Sequence, residues 1–152
     1  MTQQELKQLL HYNQDTGIFT WIAKNKIAGG INSQGYVAIK IKNKIYKAHR
    51  LAWLYVYGVW PNIVDHINRI KNDNKLSNLR LATQSENQFN SNLRKDNTSG
   101  IKGVTWHKPA KKWLVQIRIN NKKTYIGIYE DFEMARIAID LARKKYHKEF
   151  AN

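Results

Sequence analysis

The chain has 152 residues, with 26 Lys and Arg against 11 Asp and Glu, a formal net charge of +15 and a pI of about 10.0. A positive field of this strength attracts polyanions, and charge alone allows a structural RNA-binding protein as one class. The absence of cysteine excludes disulfides and thiolate zinc sites. Because no apolar run approaches the ~20 residues that span a bilayer and the first residues lack the features of a signal peptide, we expect a cytoplasmic protein with no membrane role.

The composition also predicts how the chain is divided. Hydrophobic residues make up 42% of it, and five Trp and eight Tyr indicate packed cores rather than a disordered basic tail. Residues 91–100 are polar, turn-rich and almost free of large apolar side chains, as in a linker. We therefore predict two domains, residues 1–95 and 96–152.

The N-terminal segment shows helical and strand patterns in turn. An alternating run over 36–41 and its neighbour over 44–47 predict a hairpin. The helix that follows has one apolar face, formed by Ala48, Leu51, Ala52 and Tyr55, and a stop at Gly58. The predicted elements are a helix over 3–12, strands over 18–22, 36–41 and 44–47, a helix over 48–57, a brief strand from 63, a strand over 79–82, and a helix that begins in the capping box at 83–86 and runs to about Asn92.

Four polar residues of this segment suggest chemistry. Asp65 and His66 stand side by side after the brief strand, and Asn78 and Asn87 follow twelve and twenty-one residues after the histidine. A phosphodiesterase that uses one divalent cation needs hard oxygen ligands and a neutral imidazole that takes a proton from water. Asp65 and Asn87 could supply the oxygens and His66 the base, and the amide of Asn78 could hold the loop by hydrogen bonds to its backbone. Each residue alone is ordinary in a loop, but the combination favours cleavage of nucleic acid.

These residues lie within a longer pattern that resembles the HNH endonucleases, in the cysteine-free branch common among phage-encoded homing endonucleases. The resemblance runs from about residue 36 to 90, and residues 10–21 resemble a hairpin often found upstream. It rests on Ala48-His49-Arg50-Leu51-Ala52-Trp53, Gly58, Pro61, Val64-Asp65-His66-Ile67-Asn68, Asp73-Asn74, Leu76-Ser77-Asn78-Leu79-Arg80, Ala82-Thr83 and Glu86-Asn87. It implies a ββα-metal fold with Asp65 and Asn87 on Mg²⁺ (Mn²⁺ as a substitute), His66 as general base and Asn78 orienting the loop. For His49 two roles stay open: a buried, hydrogen-bonded structural residue, or a contact to the phosphate or the leaving group.

The C-terminal segment predicts three strands, over 103–106, 112–119 and 123–129, and a helix from Asp131 as N-cap to about His147. The expected apolar face of this helix consists of Met134, Ile137, Ala138 and Leu141.

This segment resembles the ethylene-response-factor (Apetala) type of DNA-binding domain over roughly residues 99–152. The resemblance rests on Gly103-Val104, Trp106, Trp113-Leu114-Val115-Gln116-Ile117, Gly127 and the Ala-rich helix. In that family a three-stranded sheet lies in the major groove and the helix backs it. The resemblance implies DNA contacts from alternate residues on one sheet face: Lys102, Trp106, Lys108, Lys111, Trp113, Arg118 and Lys122. Arg118 is expected at a base edge and the lysines at phosphates, while core packing explains Trp106 and Trp113 equally well.

The predicted fold class is therefore α+β, a ββα-metal HNH nuclease core with an N-terminal hairpin and a small three-stranded antiparallel sheet packed on one helix. The predicted function is a metal-dependent, site-specific DNA endonuclease of the homing type that hydrolyses phosphodiester bonds. Its partner is double-stranded DNA in a bacterial host cell, and both a monomer and a homodimer on DNA stay open. The alternatives are a non-catalytic DNA-binding protein derived from an HNH nuclease and a basic RNA-binding structural protein.

Overall fold

The structure is a computed structural model that describes residues 1–90, 93, 95–119, 122–147 and 150. It is mixed α+β and divides into two compact units, Met1–Thr83 and Gln84–Asn152. This division falls before the helix that begins at Gln84, whereas the sequence places the domain boundary after residue 95, so the extent of a nuclease domain stays a prediction. The predicted end of that helix at Asn92 and the last residues of the C-terminal resemblance, 151–152, lie outside the described residues.

The first unit consists of short elements arranged in three antiparallel sheets, with strand orders β1-β2-β3, β4-β5-β6 and β7-β8. In chain order the elements are α1 (Gln3–Leu9), β1 (Leu10–Tyr12), β2 (Phe19–Trp21), β3 (Lys26–Ile27), β4 (Gly30–Ile31), β5 (Val37–Ile41), β6 (Lys44–Lys47), α2 (Ala48–Tyr57), β7 (Val64–His66), a 3-10 turn (Leu76–Asn78) and β8 (Leu79–Leu81).

The predicted first helix is too long, because the chain becomes a strand at Leu10. Thr2 and Glu5 form a reciprocal capping box that starts α1. Leu10 has extended backbone angles and pairs with Trp21 across the sheet. Leu10 and Tyr12 are buried and the residue between them is exposed, so this segment follows the period of two of a half-buried strand.

The helix α2 crosses the core of the first unit as its sequence predicts. Ala48, Leu51 and Ala52 are buried, and Tyr55 is half-buried against the same cluster. Gly58 ends the helix in the left-handed conformation, with a φ of 75°, and its N–H donates to the carbonyl of Leu54. The predicted face and the predicted stop are both confirmed.

The second unit contains a short helix and then an antiparallel sheet of order β11-β10-β9 with a long helix packed on it, which confirms the predicted sheet and helix. Its elements are α3 (Gln84–Phe89), β9 (Val104–His107), β10 (Lys112–Ile119), β11 (Lys122–Tyr129) and α4 (Phe132–His147). Asp131 caps α4 as predicted, because its carboxylate accepts the N–H of Met134 at 2.8 Å.

The apolar face predicted for α4 is wrong. The residues that α4 buries against the sheet are Ala135, Ile139 and Ala142, whereas Met134, Ile137 and Leu141 are 54%, 45% and 62% exposed and Ala138 is only half-buried. Two alanines on the buried face let the helix lie close to the sheet, and larger side chains would hold it away. Among the described residues, no helix has the length and apolar character needed to cross a membrane.

Candidate active site

The strand β7 brings Asp65 and His66 into the protein interior. All three residues of β7 are buried, and Asp65 pairs with Arg80 and His66 with Leu79 across the strand pair β7-β8. Residues 67–78 connect the two strands, and we call this segment the β7-β8 loop. Because β7 and β8 fix both of its ends, the loop is held against the buried pair Asp65-His66.

The carboxylate of Asp65 forms a buried ion pair with the residue opposite it. Arg80 donates from Nε at 3.0 Å and lies within 2.9 Å through its Nη2, both at the same carboxylate oxygen, Oδ2. The side chains of Arg80 and Asp65 are only 12% and 7% exposed. One hydrogen bond and one close ionic contact at the same oxygen hold the carboxylate in place, and the guanidinium balances its buried charge.

The imidazole of His66 is buried and oriented by Asn74. Its Nε2 lies 3.1 Å from Asn74 Oδ1, while the Asn74 amide nitrogen donates to the carbonyl of Asn72 at 3.3 Å. Because Asn74 presents its oxygen, the neutral His66 carries its proton on Nε2, and Nδ1 keeps the basic lone pair. Burial lowers the pKa of His66 below its usual value, against smaller raising effects from Asn74 and Asp65, so the ring is neutral at neutral pH.

Asn78 holds the β7-β8 loop together from inside. Its side-chain oxygen accepts the N–H of Asn68 at 3.0 Å, and its nitrogen donates to Asn68 Oδ1 at 2.9 Å and to the carbonyl of Asp73 at 2.8 Å. These bonds match the loop-holding contacts that the sequence predicts for Asn78. Its part in catalysis stays a prediction.

The upstream hairpin braces the same loop, a contact that the sequence analysis did not predict. The buried hydroxyl of Tyr12 donates to the carbonyl of Asn74 at 2.7 Å, and the N–H of Leu76 donates to the carbonyl of Gln14 at 3.0 Å. Gly17 has a φ of +74°, and a Cβ there would come within 2.4 Å of the Asn74 backbone. Asn74 is thus fixed through its backbone while its side chain orients His66, and the only sequence signal for it is its place in the Asp73-Asn74 pair.

A second imidazole lies against the first. The rings of His49 and His66 meet edge to face with centroids 4.9 Å apart, and His49 is only 5% exposed. Burial, with a smaller effect from His66, lowers the pKa of His49 to about 3. Its buried Nδ1 has no hydrogen-bond partner among the residues that the structure describes. The structure therefore places His49 at the site without the hydrogen bond at Nδ1 that a purely structural histidine would make there.

Positive charge lies at the edge of this histidine pair. The Tyr36 ring is 5.2 Å from that of His49 and 6.1 Å from that of His66. The ammonium groups of Lys47 and Lys71 lie 4.2 Å and 5.1 Å from the Tyr36 ring centroid. Both lysines are exposed, so they can attract a phosphate group from solvent.

The predicted metal ligands belong to different units of the chain. Asp65 is buried in the first unit, and Asn87 is exposed on α3 in the second. Across the described part of the chain, no group of three or more His, Cys, Asp or Glu side chains is placed to hold a metal ion. Carboxylate and amide oxygens are nevertheless hard donors of the type that Mg²⁺ prefers, so the chemistry of the two side chains fits such an ion.

The DNA-contact residues predicted in the second unit do not share one sheet face. Trp113 packs on Phe132 of α4 with ring centroids 4.7 Å apart and pairs with Trp106, so both tryptophans lie on the helix-facing side. Arg118, five positions after Trp113 on the same strand, is exposed on the opposite side. The single-face arrangement is therefore wrong, and the individual DNA contacts stay predictions.

The lysines predicted to contact DNA phosphates differ in exposure and in their contacts within the protein. Lys108 and Lys111 are exposed in the turn between β9 and β10, and Lys122 is exposed at the start of β11. The ammonium group of Lys102 donates at 3.0 Å to the carbonyls of Gln88 and Phe89. Lys102 therefore has a structural contact that competes with a phosphate.

Comparison with known proteins identifies the class of this chain. Residues 46–89, which include the β7-β8 loop, match the sequence profile of the HNH endonuclease family. The chain is also 32% identical over 117 residues to Protein 3.8 of Escherichia phage T7, across 74% of this chain and 96% of that protein. It therefore belongs to the same family as Protein 3.8 and contains an HNH endonuclease domain.

The chain is also similar to a solved structure of the HNH homing endonuclease I-HmuI, described as showing its DNA binding and cleavage. The two chains are 21% identical, with a TM-score of 0.45 and coverage of 90% of this chain and 80% of the other.

Proposed function

We propose that this protein is a metal-dependent, site-specific DNA endonuclease that hydrolyses phosphodiester bonds of double-stranded DNA. The observation that carries the proposal is the buried imidazole of His66. It is neutral, oriented through Nε2 by Asn74, and adjacent in the chain to the buried carboxylate of Asp65. Its place inside the segment that matches the HNH endonuclease family supports the same conclusion.

In the proposed reaction His66 is the general base. Its Nδ1 takes a proton from the water that attacks the scissile phosphorus in line with the leaving 3′ oxygen. The new P–O bond forms as the bond to the 3′ oxygen breaks, which leaves a 5′-phosphate and, after protonation, a 3′-hydroxyl. Asn78 keeps the β7-β8 loop in the shape that holds His66, and Lys47 and Lys71 attract the DNA backbone.

A divalent cation completes the proposed site. When bound, Mg²⁺, with Mn²⁺ as a substitute, stabilises negative charge on the phosphate and the leaving oxygen as a Lewis acid. Asp65 and Asn87 are the oxygen ligands we propose for it. The orphaned Nδ1 of His49 beside His66 supports a contact to the phosphate or the leaving group over a purely structural role.

Site selection is assigned to the second unit. We propose that its sheet contacts DNA as in the ethylene-response-factor type of domain, with Arg118 at a base edge and Lys108, Lys111 and Lys122 at phosphates. The exposed position of Arg118 on β10 supports this assignment. The phage origin of the relative Protein 3.8 supports a phage-encoded protein that acts in a bacterial cell. The homing type is proposed from the sequence resemblance alone.

The test is cleavage of supercoiled plasmid that carries the DNA flanking the protein's own gene. We expect open-circular or linear product with Mg²⁺ or Mn²⁺ and none in EDTA. Asp65→Asn keeps the size of the side chain and an oxygen for Arg80 but removes the anionic ligand, so it should abolish cleavage at low Mg²⁺. Retention of wild-type cleavage in EDTA would exclude the metal assignment. Binding of the plasmid without cleavage under every condition would instead identify a non-catalytic DNA-binding protein.

A further inference from the structure

The helix that carries Asn87 is too short to be stable by itself. It has six residues, Gln84–Phe89, and none of their side chains is fully buried. Isolated helices shorter than about 12 residues are marginal in water, because one turn fixes many backbone angles for few hydrogen bonds. The position of Asn87 therefore depends on what holds α3 in place.

Lys102 holds the C-terminal end of α3. Its ammonium group donates to the last two helical carbonyls, those of Gln88 and Phe89, at 3.0 Å each. A cation at this end also opposes the negative pole of the helix dipole. Arg143 of α4 donates in turn to the carbonyl of Lys102 and so holds the capping residue at its backbone.

His147 holds the same end of α3 from another direction. Its ring stacks on that of Phe89 with centroids 3.7 Å apart and planes 8° from parallel. Its Nε2 lies 2.9 Å from the carbonyl of Arg118 on β10, which can only accept, so this nitrogen carries the proton. The His147 ring therefore contacts both α3 and β10, the strand that carries Arg118, the proposed base-reading residue.

We propose that Lys102, His147 and Phe89 form a clamp through which the second unit positions Asn87 for metal binding. The inference rests on the proposed function, because it takes Asn87 as a metal ligand. These three are positioning residues, since they act on the ligand through α3. The DNA-reading sheet and a ligand of the cleavage site are then parts of one packed body, so the second unit serves catalysis as well as site selection.

The first measurement is hydrogen exchange of the amides of α3 in the full-length, metal-free protein. Lys102→Met removes the donors and keeps most of the side-chain length, and Phe89→Leu removes the stacked ring. Each should speed exchange in residues 84–90 by roughly threefold to tenfold. Lys102→Arg keeps the donors and should restore slow exchange. Lys144→Met is the matched control, because it removes one charge from an exposed residue of α4 that lies outside the clamp.

The second measurement is the Mg²⁺ concentration at half-maximal plasmid cleavage. It should rise by roughly the same factor in Lys102→Met and Phe89→Leu, and stay at the wild-type value in Lys102→Arg and Lys144→Met. Unchanged exchange in both clamp variants would overturn the clamp. Faster exchange with an unchanged Mg²⁺ requirement would overturn the positioning of the ligand. A wild-type protein that cleaves with no divalent cation would count against the proposed function itself, and the exchange data would still show whether the clamp exists.

Discussion

The β7-β8 loop and the sheet of the second unit both carry polar side chains that we propose act on DNA, but they hold these side chains differently. In the loop, the side chain of Asn78 makes three hydrogen bonds, and Asn74 is 2% exposed. On the sheet, Arg118 and Lys122 are exposed. Strand pairing fixes the backbone of their strands but not these side chains. Proton transfer requires the reacting atoms at set distances, so the side chains proposed for it are held by fixed hydrogen-bond partners. Contact with a polyanion uses charge that several positions of a surface can supply.

The largest expected effect comes from the fixed region. His66→Ala should lower the rate of plasmid cleavage by roughly 10²-fold or more, because the general base is lost. DNA affinity in EDTA should stay close to that of the wild type, which separates chemistry from binding. His11→Ala, at an exposed histidine of β1, is the control and should cleave normally. Near-normal cleavage by His66→Ala at neutral pH would remove this residue from the mechanism.

The buried histidine pair predicts how stability depends on pH. The pKa of His49 is about 3 in the folded protein and close to 6.5 when the chain is unfolded. Between these values the unfolded chain binds the proton and the folded protein does not, so the free energy of unfolding falls by about 1.4 kcal/mol per pH unit as pH decreases below 6.5.

Denaturant unfolding at several pH values measures this slope. His49→Gln should flatten it, whereas His11→Gln should leave it unchanged, since His11 is exposed. A slope that is the same in His49→Gln as in the wild type would mean that other groups cause the acid sensitivity.

On the exposed region, single residues should matter less and in different ways. Arg118→Ala should cost ~1–3 kcal/mol of binding to the preferred site and relax the preference at one base pair. Lys122→Ala should weaken all sequences alike and reduce the salt dependence of binding, because it removes one phosphate contact. Binding assays on a library of sites at two salt concentrations distinguish the two patterns. Equal loss on all sites for both variants would place the base-reading residue elsewhere.

The smallest expected effect tests how the hairpin braces the loop. Tyr12→Phe keeps the ring, which stacks on Phe19, and removes only the hydroxyl that binds the carbonyl of Asn74. We expect the free energy of unfolding to fall by about 1 kcal/mol. The cleavage rate should also fall, because Asn74, which orients His66, is displaced. Tyr125→Phe, at an exposed tyrosine of β11, should change neither. A Tyr12→Phe protein with wild-type stability would show that solvent replaces the hydroxyl.

Sequence patterns predicted the features that depend on local chemistry. The stop at Gly58 and the cap at Asp131 follow from backbone conformation and from hydrogen bonding within one turn, and the structure has both. A carboxylate and an imidazole at this spacing from two amides suit one type of reaction, and this pattern predicts Asp65 and His66 as the reactive pair. The structure confirms the predicted brief strand that carries this pair, β7, and its reaction stays a prediction.

Features that depend on distant partners were not predicted. Asn74 is one of many asparagines in its segment, and nothing in their spacing shows which of them accepts a hydrogen bond from His66. The buried face of α4 was misplaced because hydrophobicity favours Met134 and Leu141, whereas close packing on the sheet selects the small Ala135 and Ala142.

The bond between Tyr12 and Asn74 joins residues 62 positions apart in the chain. During synthesis from the N-terminus the hairpin is made before the β7-β8 loop, so this contact can form only after the intervening residues have been added. Residues 46–89, the segment that matches the family, contain the loop but lack its brace. Substitutions in either of these two separated stretches can therefore disturb the other, and a graft of 46–89 alone into another protein would transfer Asp65 and His66 without the contact that holds Asn74 beside His66.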